Sequence, residues 1–157
     1  MKKFELTNEF ITNMFGTKLF RIRALVEFGD VEAGELGGYV EKESNLGHDD
    51  NAWVYDNAWV YGDARVCGDA RVCGNGDYAY AHGFGSVNRT TTFFRLKDGG
   101  VGVRCGCFYG TLAQFRDKIR ETHGETKKAQ EYLMLADLME LRFEEDENEV
   151  GNRKYVE

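Results

Sequence analysis

The central part of the chain carries a pattern of small, β-branched and turn-forming residues that repeats every six positions. Between residues 51 and 74 an alanine and a valine recur two positions apart, and weaker copies of the pattern extend over residues 38–84. The repeated residues are Ala52, Ala58, Ala64 and Ala70, with Val54, Val60, Val66 and Val72. Residues two apart on a strand point to the same side, and the Gly, Asn and Asp between them favour tight turns. A short strand and a corner in every repeat predict a three-sided coil with the valines inside.

This repeat resembles the hexapeptide-repeat family of left-handed β-helices, in which an aliphatic residue recurs every six residues with a small residue two positions earlier. The resemblance covers residues 38–84 and is carried by the four central repeats. It implies a short left-handed parallel β-helix of about two to three coils. With three repeats per coil, Trp53 is expected over Arg71 and Tyr55 over Cys73, whereas Trp59 falls on the neighbouring face.

The segments on either side of the repeat have other periods. Residues 18–24 alternate between apolar and polar side chains, which predicts a strand, and residues 4–6 are expected to pair with it through a turn at Gly16. These residues predict a β structure that covers the N-terminal end of the repeat.

The C-terminal third predicts a β-hairpin followed by two helices. Residues 90–96 and 101–108 flank Lys97-Asp98-Gly99-Gly100, which is a hairpin pattern. A capping box at residues 111–114 opens a helix that is expected to end near Gly124, and a second helix is expected at about 126–143. The predicted fold is therefore mainly β with C-terminal α, in three segments: an N-terminal β cap (1–37), the left-handed β-helix (38–89), and the hairpin and helices with an acidic tail (90–157).

The order of the motifs along the chain resembles a family of small bacteriophage and prophage proteins without assigned function. The resemblance rests on residues 19–25, 34–41, the Gly-Asp-Ala-Arg-Val repeats, and the segments 104–110 and 121–124. It implies a phage context and therefore the cytoplasm of a host cell, and it implies no residue-level mechanism.

The net charge of the chain limits the classes of partner that it is expected to bind. The chain has 157 residues and a formal net charge of −7, with acidic residues concentrated at 144–149, where a solvated surface is expected. This balance argues against non-specific nucleic-acid binding, which depends on Lys and Arg. No signal peptide or membrane-spanning apolar run is seen, so a cytoplasmic location without membrane contact is expected.

The cysteines and histidines suggest few kinds of chemistry. The cysteine spacings, Cys67 to Cys73 and Cys105 to Cys107, are not those of zinc sites, so neither a metal nor another cofactor is expected. Cys105 and Cys107 are expected on one hairpin strand as small packed residues. Hexapeptide-repeat acyltransferases use a histidine as general base, so the resemblance makes His48 or His82 the candidate if the chain is an enzyme.

The aromatic residues of the repeat offer a different candidate site. Trp and Tyr are enriched at interfaces, and an Arg guanidinium over an indole gives a cation–π contact. The candidate binding residues are Trp53, Tyr55, Trp59, Tyr61, Arg65 and Arg71. The aromatic side chains could equally stack on one another along the outside of the coil or lie under the flanking segments. Five other arginines could gather beside these aromatics and hold a nucleotide-like ligand, or form a solvated face: Arg21, Arg23, Arg89, Arg95 and Arg104.

The leading hypothesis is a non-enzymatic phage or prophage binding or assembly module. It would form a homodimer or homotrimer through the repeat and bind a protein partner, for example to inhibit a host defence. The alternatives are a hexapeptide-repeat acyltransferase and a protein that sequesters a nucleotide signal.

Overall fold

The computed structural model describes residues 2–85 and 89–144, which form two four-stranded sheets, a pair of short strands and two α-helices. Short 3₁₀ turns lie at Glu43–Asn45 and Asn75–Asp77. In chain order the elements are β1 (Phe4–Thr12), β2 (Lys18–Ala24), β3 (Leu36–Val40), β4 (Trp53–Val54), β5 (Trp59–Val60), β6 (Arg71–Val72), β7 (Tyr78–Phe84), β8 (Arg89–Arg95), β9 (Val101–Cys105), β10 (Phe108–Thr111), α1 (Leu112–His123) and α2 (Lys127–Phe143).

The two larger sheets have different strand arrangements. The N-terminal sheet has the order β1-β2-β3-β5 and is mixed, because β2 is antiparallel to β1 and β3 whereas β5 is parallel to β3. The C-terminal sheet has the order β10-β9-β8-β7 and is antiparallel throughout. Strands β4 and β6 form a separate parallel pair.

The predicted left-handed parallel β-helix is wrong. Both four-stranded sheets are antiparallel or mixed, and parallel pairing within the described residues is confined to two registers of two residue pairs each and one bridge between Leu46 and Val66. Residues 78–84, which the prediction assigned to the repeat, form a seven-residue antiparallel strand. The physical reason is that a period of six reports which side chains face inward and where the chain turns. It does not determine which backbone a strand will pair with, and β2 and β8 supply longer antiparallel partners.

The coarser predictions for the repeat are confirmed. The structure is mainly β with two C-terminal helices, and all four repeat valines are buried, with exposed fractions of 1% or less. Trp53 pairs with Arg71 in parallel register, as the repeat period predicted.

The predicted flanking elements are also confirmed. Residues 4–6 pair with the strand at 18–24, and the chain turns at Gly16, where φ is +83°. Helix α1 begins with the predicted capping box, in which Thr111 Oγ1 accepts from Gln114 N–H at 3.2 Å and Gln114 Oε1 accepts from Thr111 N–H at 2.9 Å.

Two hydrophobic clusters meet at strand β8. The first joins the repeat valines and alanines to β1 and β2 and includes Phe94. The second lies between the C-terminal sheet and the two helices and includes Phe93. Successive side chains of a strand point to opposite faces, so β8 contributes neighbouring residues to both clusters.

Neither helix found within residues 2–85 and 89–144 is long and apolar enough to cross a membrane. The acidic run predicted to be solvated begins at Glu144, and its residues 145–149 lie outside the described residues.

Candidate functional site

A groove of about 570 Å³ lies between the repeat segment and the C-terminal sheet. Its walls come from residues 42–65 on one side and from β7, β8 and the β9–β10 turn on the other. Its basic side chains are Lys42, Arg65, His82, Arg89 and Arg104. Sequence-distant segments are therefore brought together, and their basic side chains outnumber the one carboxylate among the described lining residues, Asp63.

Backbone and side-chain contacts fix the two walls of the groove. The backbone N–H of Arg65 donates to Thr92 Oγ1 at 3.0 Å, and Thr92 is a buried residue of β8. His82 Nδ1 lies 2.7 Å from Thr90 Oγ1 on the neighbouring strand. Arg104 Nε donates to the carbonyl oxygen of Gly106 at 2.8 Å. The cationic residues are thus held on strands and turns with defined neighbours.

The turn between β9 and β10 needs a glycine. Gly106 has φ of +60°, and a Cβ atom there would meet Nη1 of Arg89. Glycine adopts this backbone conformation without steric cost and leaves room for the guanidinium. Cys107 follows in the same turn and is exposed, so the prediction that it is a packed strand residue is wrong.

Most arginines in the described part of the chain have a carboxylate partner within 4.0 Å. The paired ones are Arg21, Arg23, Arg71, Arg95, Arg116 and Arg120. Within residues 2–85 and 89–144, no carboxylate lies this close to the other four, which are Arg65, Arg89, Arg104 and Arg142. Three of these four line the groove.

The single carboxylate of the groove does not neutralise these arginines. Asp63 lies 3.5 Å from Lys42 Nζ, so it offsets a different cation. In a chain with a net charge of −7 this groove is a local exception. A concave site with an excess of positive charge focuses its potential and attracts anionic ligands.

Arg104 also contacts the edge of the first hydrophobic cluster. Burial raises the pKa of the Cys67 thiol, although a hydrogen bond with Arg104 acts in the opposite direction. Cys67 is therefore a protonated, buried neighbour of the groove, and its reactivity as a thiolate is suppressed.

The predicted aromatic surface is not one site. Trp53 is 1% exposed and packs against Phe4 and Phe28, so it lies under the N-terminal segments and cannot contribute to a surface. Trp59 is half-buried, and Tyr61 is 38% exposed. The predicted cation–π contact of Arg71 with an indole is also wrong.

Arg71 instead lies over the ring of Tyr55, 4.5 Å from its centroid. Tyr55 OH donates to Asp30 Oδ1 at 2.7 Å, and Arg71 Nη1 donates to Asp30 Oδ2 at 3.0 Å. These hydrogen bonds, from Tyr55 first and then from Arg71, lower the pKa of Asp30. Burial and then Asp30 raise the pKa of Tyr55. The three side chains line a second cavity, of about 510 Å³, but they satisfy one another there.

The two candidate histidines lie in different settings. His48 Nδ1 accepts from the backbone N–H of Lys3 at 3.1 Å, and its ring stacks on Phe4 with centroids 4.4 Å apart. His82 lies in the groove beside Thr90. In the described ranges neither imidazole has a carboxylate partner that would orient it as a general base.

Sequence reasoning found part of the groove. It named His82 and Arg65 for other roles, and it named Arg89 and Arg104 among five arginines that could gather beside the repeat aromatics and hold a nucleotide-like ligand. Lys42 was missed, because nothing in the repeat pattern places it opposite the C-terminal sheet. Comparison with protein-family models and with curated proteins finds no match for this chain.

Proposed function

We propose that this protein is a non-enzymatic binding module whose basic groove binds a small phosphate-bearing ligand, such as a nucleotide. The observation that carries the proposal is the convergence of Arg65, Arg89 and Arg104 on one groove without a carboxylate partner among the described residues. In the phage context that the sequence resemblance implies, the ligand would be a nucleotide that the host uses as a signal, and binding would sequester it.

The chemistry of the groove supports an anion with several oxygens. A guanidinium is planar and can donate two parallel hydrogen bonds to a phosphate, and such charge-assisted bonds are stronger than neutral ones. Pockets for small molecules commonly have volumes of roughly 300–1,000 Å³, and the volume of this groove falls in that range. Binding without turnover fits the setting of His82, whose ring nitrogen is engaged by a threonine.

The first prediction concerns the arginines of the groove. Calorimetric titration of the protein with ATP and with pyrophosphate should show saturable binding to both. Arg65→Ala and Arg89→Ala should each weaken binding by roughly tenfold or more, because each removes a charge-assisted contact. Both side chains are exposed, so neither replacement should disturb the core.

Arg120→Ala is the matched control for this prediction. Arg120 is an exposed arginine on α1 that pairs with Asp117 at 3.7 Å and lies outside the groove. It should leave the affinity for both phosphate compounds unchanged. Absence of binding to the wild-type protein, or an equal loss in the Arg120 variant, would contradict the proposal.

A further inference from the structure

Helix α2 has a second apolar face in addition to the one that packs on the sheet. Met134, Leu138 and Leu141 are 71%, 53% and 68% exposed. The buried residues of the same helix are Ala129, Tyr132, Ala136, Met139 and Phe143. At 3.6 residues per turn the two sets lie on opposite sides of α2. The exposed set, here called the α2 stripe, runs over about two turns with the 4-then-3 spacing of a helix-packing seam.

Two charged residues of opposite sign lie at the two ends of the α2 stripe. Glu131 precedes Met134 by three positions, and Arg142 directly follows Leu141. In the part of the chain that the structure describes, no ion pair involves either of them. Helix geometry places both on the same flank of the stripe.

We infer that the α2 stripe docks against the α2 stripe of a second copy of this chain, in an antiparallel, two-fold symmetric dimer. In an antiparallel helix pair, residues on one flank face the same flank of the other helix, with N-terminal positions opposite C-terminal ones. Glu131 of each copy then meets Arg142 of the other, and the contact forms twice. In a parallel pair these residues would be separated by about 16 Å along the helix.

A second copy is a better occupant than an unrelated partner because one helix contains every part of the contact. The apolar seam is complementary to itself, and the two ends supply both halves of the charge pair. Large exposed apolar side chains grouped on one face are a feature of interaction surfaces. The α2 stripe shares no residue with the basic groove, so the inference stands apart from the proposed function.

Charge exchange tests the antiparallel register. Light scattering after size exclusion at about 100 µM protein should give twice the chain mass of 17.9 kDa for the wild type. E131R and R142E should each be monomeric, because each brings two pairs of like charges together and lowers the association constant by roughly tenfold or more. An equimolar mixture of the two variants should recover the dimer, since every contact is then between opposite charges.

Two further variants separate the stripe from general surface effects. Leu138→Glu should give a monomer with an unchanged circular dichroism spectrum, because this side chain is exposed in the single chain. Met14→Glu introduces the same charge at a residue that is 89% exposed in the β1–β2 turn, and it should leave the dimer intact. A monomeric wild type overturns the inference, and so does a mixture of E131R and R142E that stays monomeric.

Discussion

Lys3 is the buried cation that ties the N-terminal strand to the repeat. Its side chain is 2% exposed, and its ammonium group donates to the carbonyl oxygens of Asp50 and Ala52, at 3.1 and 2.6 Å, and to Asp50 Oδ1 at 3.1 Å. Burial lowers the pKa of Lys3, and the neighbouring Asp50 carboxylate opposes that shift. Three acceptors surround the ammonium group and stabilise its charge. Lys3 therefore stabilises the fold by completing a buried hydrogen-bond network.

At this scale we predict that Lys3→Ala destabilises the fold by about 2–3 kcal/mol. The replacement leaves the carbonyl of Ala52 without its donor and Asp50 without its cation. Urea denaturation measures the change. Lys2→Ala is the control, because Lys2 is exposed and its one ion pair within the described ranges is with Glu43, and the stability of this variant should match the wild type. Equal losses of stability in the two variants would show that the buried hydrogen bonds of Lys3 contribute no more to stability than the exposed ion pair of Lys2.

Strand β3 shows how closely the repeat backbone approaches the N-terminal sheet. A Cβ atom on Gly38 would lie 2.5 Å from the carbonyl oxygen of Ala58 and 2.7 Å from Val54 Cγ1. The sequence indicated only that Gly38 lies at the start of the weaker copies of the repeat. The packing role of Gly38 depends on the parallel pairing of β3 with β5, which no local pattern reveals.

The element-scale prediction compares two glycines. Gly38→Ala should lower the free energy of unfolding by about 1–3 kcal/mol, because a methyl group overpacks a site that backbone closes on one side. Gly76→Ala should be neutral, since no atom lies within 4 Å of the added Cβ and its φ is not in the left-handed region. Thermal melts of both variants decide this. Similar losses in both would point to glycine backbone effects instead of close packing.

Local patterns predicted the elements of this protein better than their partners. The capping box at Thr111 and the alternation of residues 18–24 each involve neighbours in sequence, and both are confirmed. The β-helix prediction was wrong because pairing of β2 with β3 and of β7 with β8 depends on contacts between whole strands. The position of the groove could not be predicted for the same reason, since Arg65 and Arg89 come to line one groove only when the repeat docks on β8.

On the scale of the whole molecule, β8 joins the two hydrophobic clusters. Phe93 and Phe94 are both fully buried, and they belong to different clusters. A bridge between Ala70 and Leu96 and a hydrogen bond from Lys97 N–H to the carbonyl oxygen of Asp69, at 2.9 Å, extend the junction. Loss of either cluster therefore removes the support of the other.

This junction predicts a single cooperative unfolding transition. Tryptophan fluorescence, which reports the repeat segment through Trp53 and Trp59, should coincide with the far-ultraviolet circular dichroism of the two helices during denaturation. Phe93→Leu and Phe94→Leu should each move the midpoints of both signals together. The free energy of unfolding should fall by about 1–2 kcal/mol in each variant. Separate midpoints for the two signals, in the wild type or in either variant, would show that the clusters unfold independently.

The arginines of the groove affect the stability of the fold as well as the binding of anions. The guanidinium groups of the groove, which have no carboxylate partner within residues 2–85 and 89–144, repel one another, and this repulsion opposes the folding that brings them together. An anion that enters would relieve this repulsion and hold the repeat and the C-terminal sheet together from both walls. The same arginines that lower the free energy of unfolding of the protein alone would then raise it when an anion is bound.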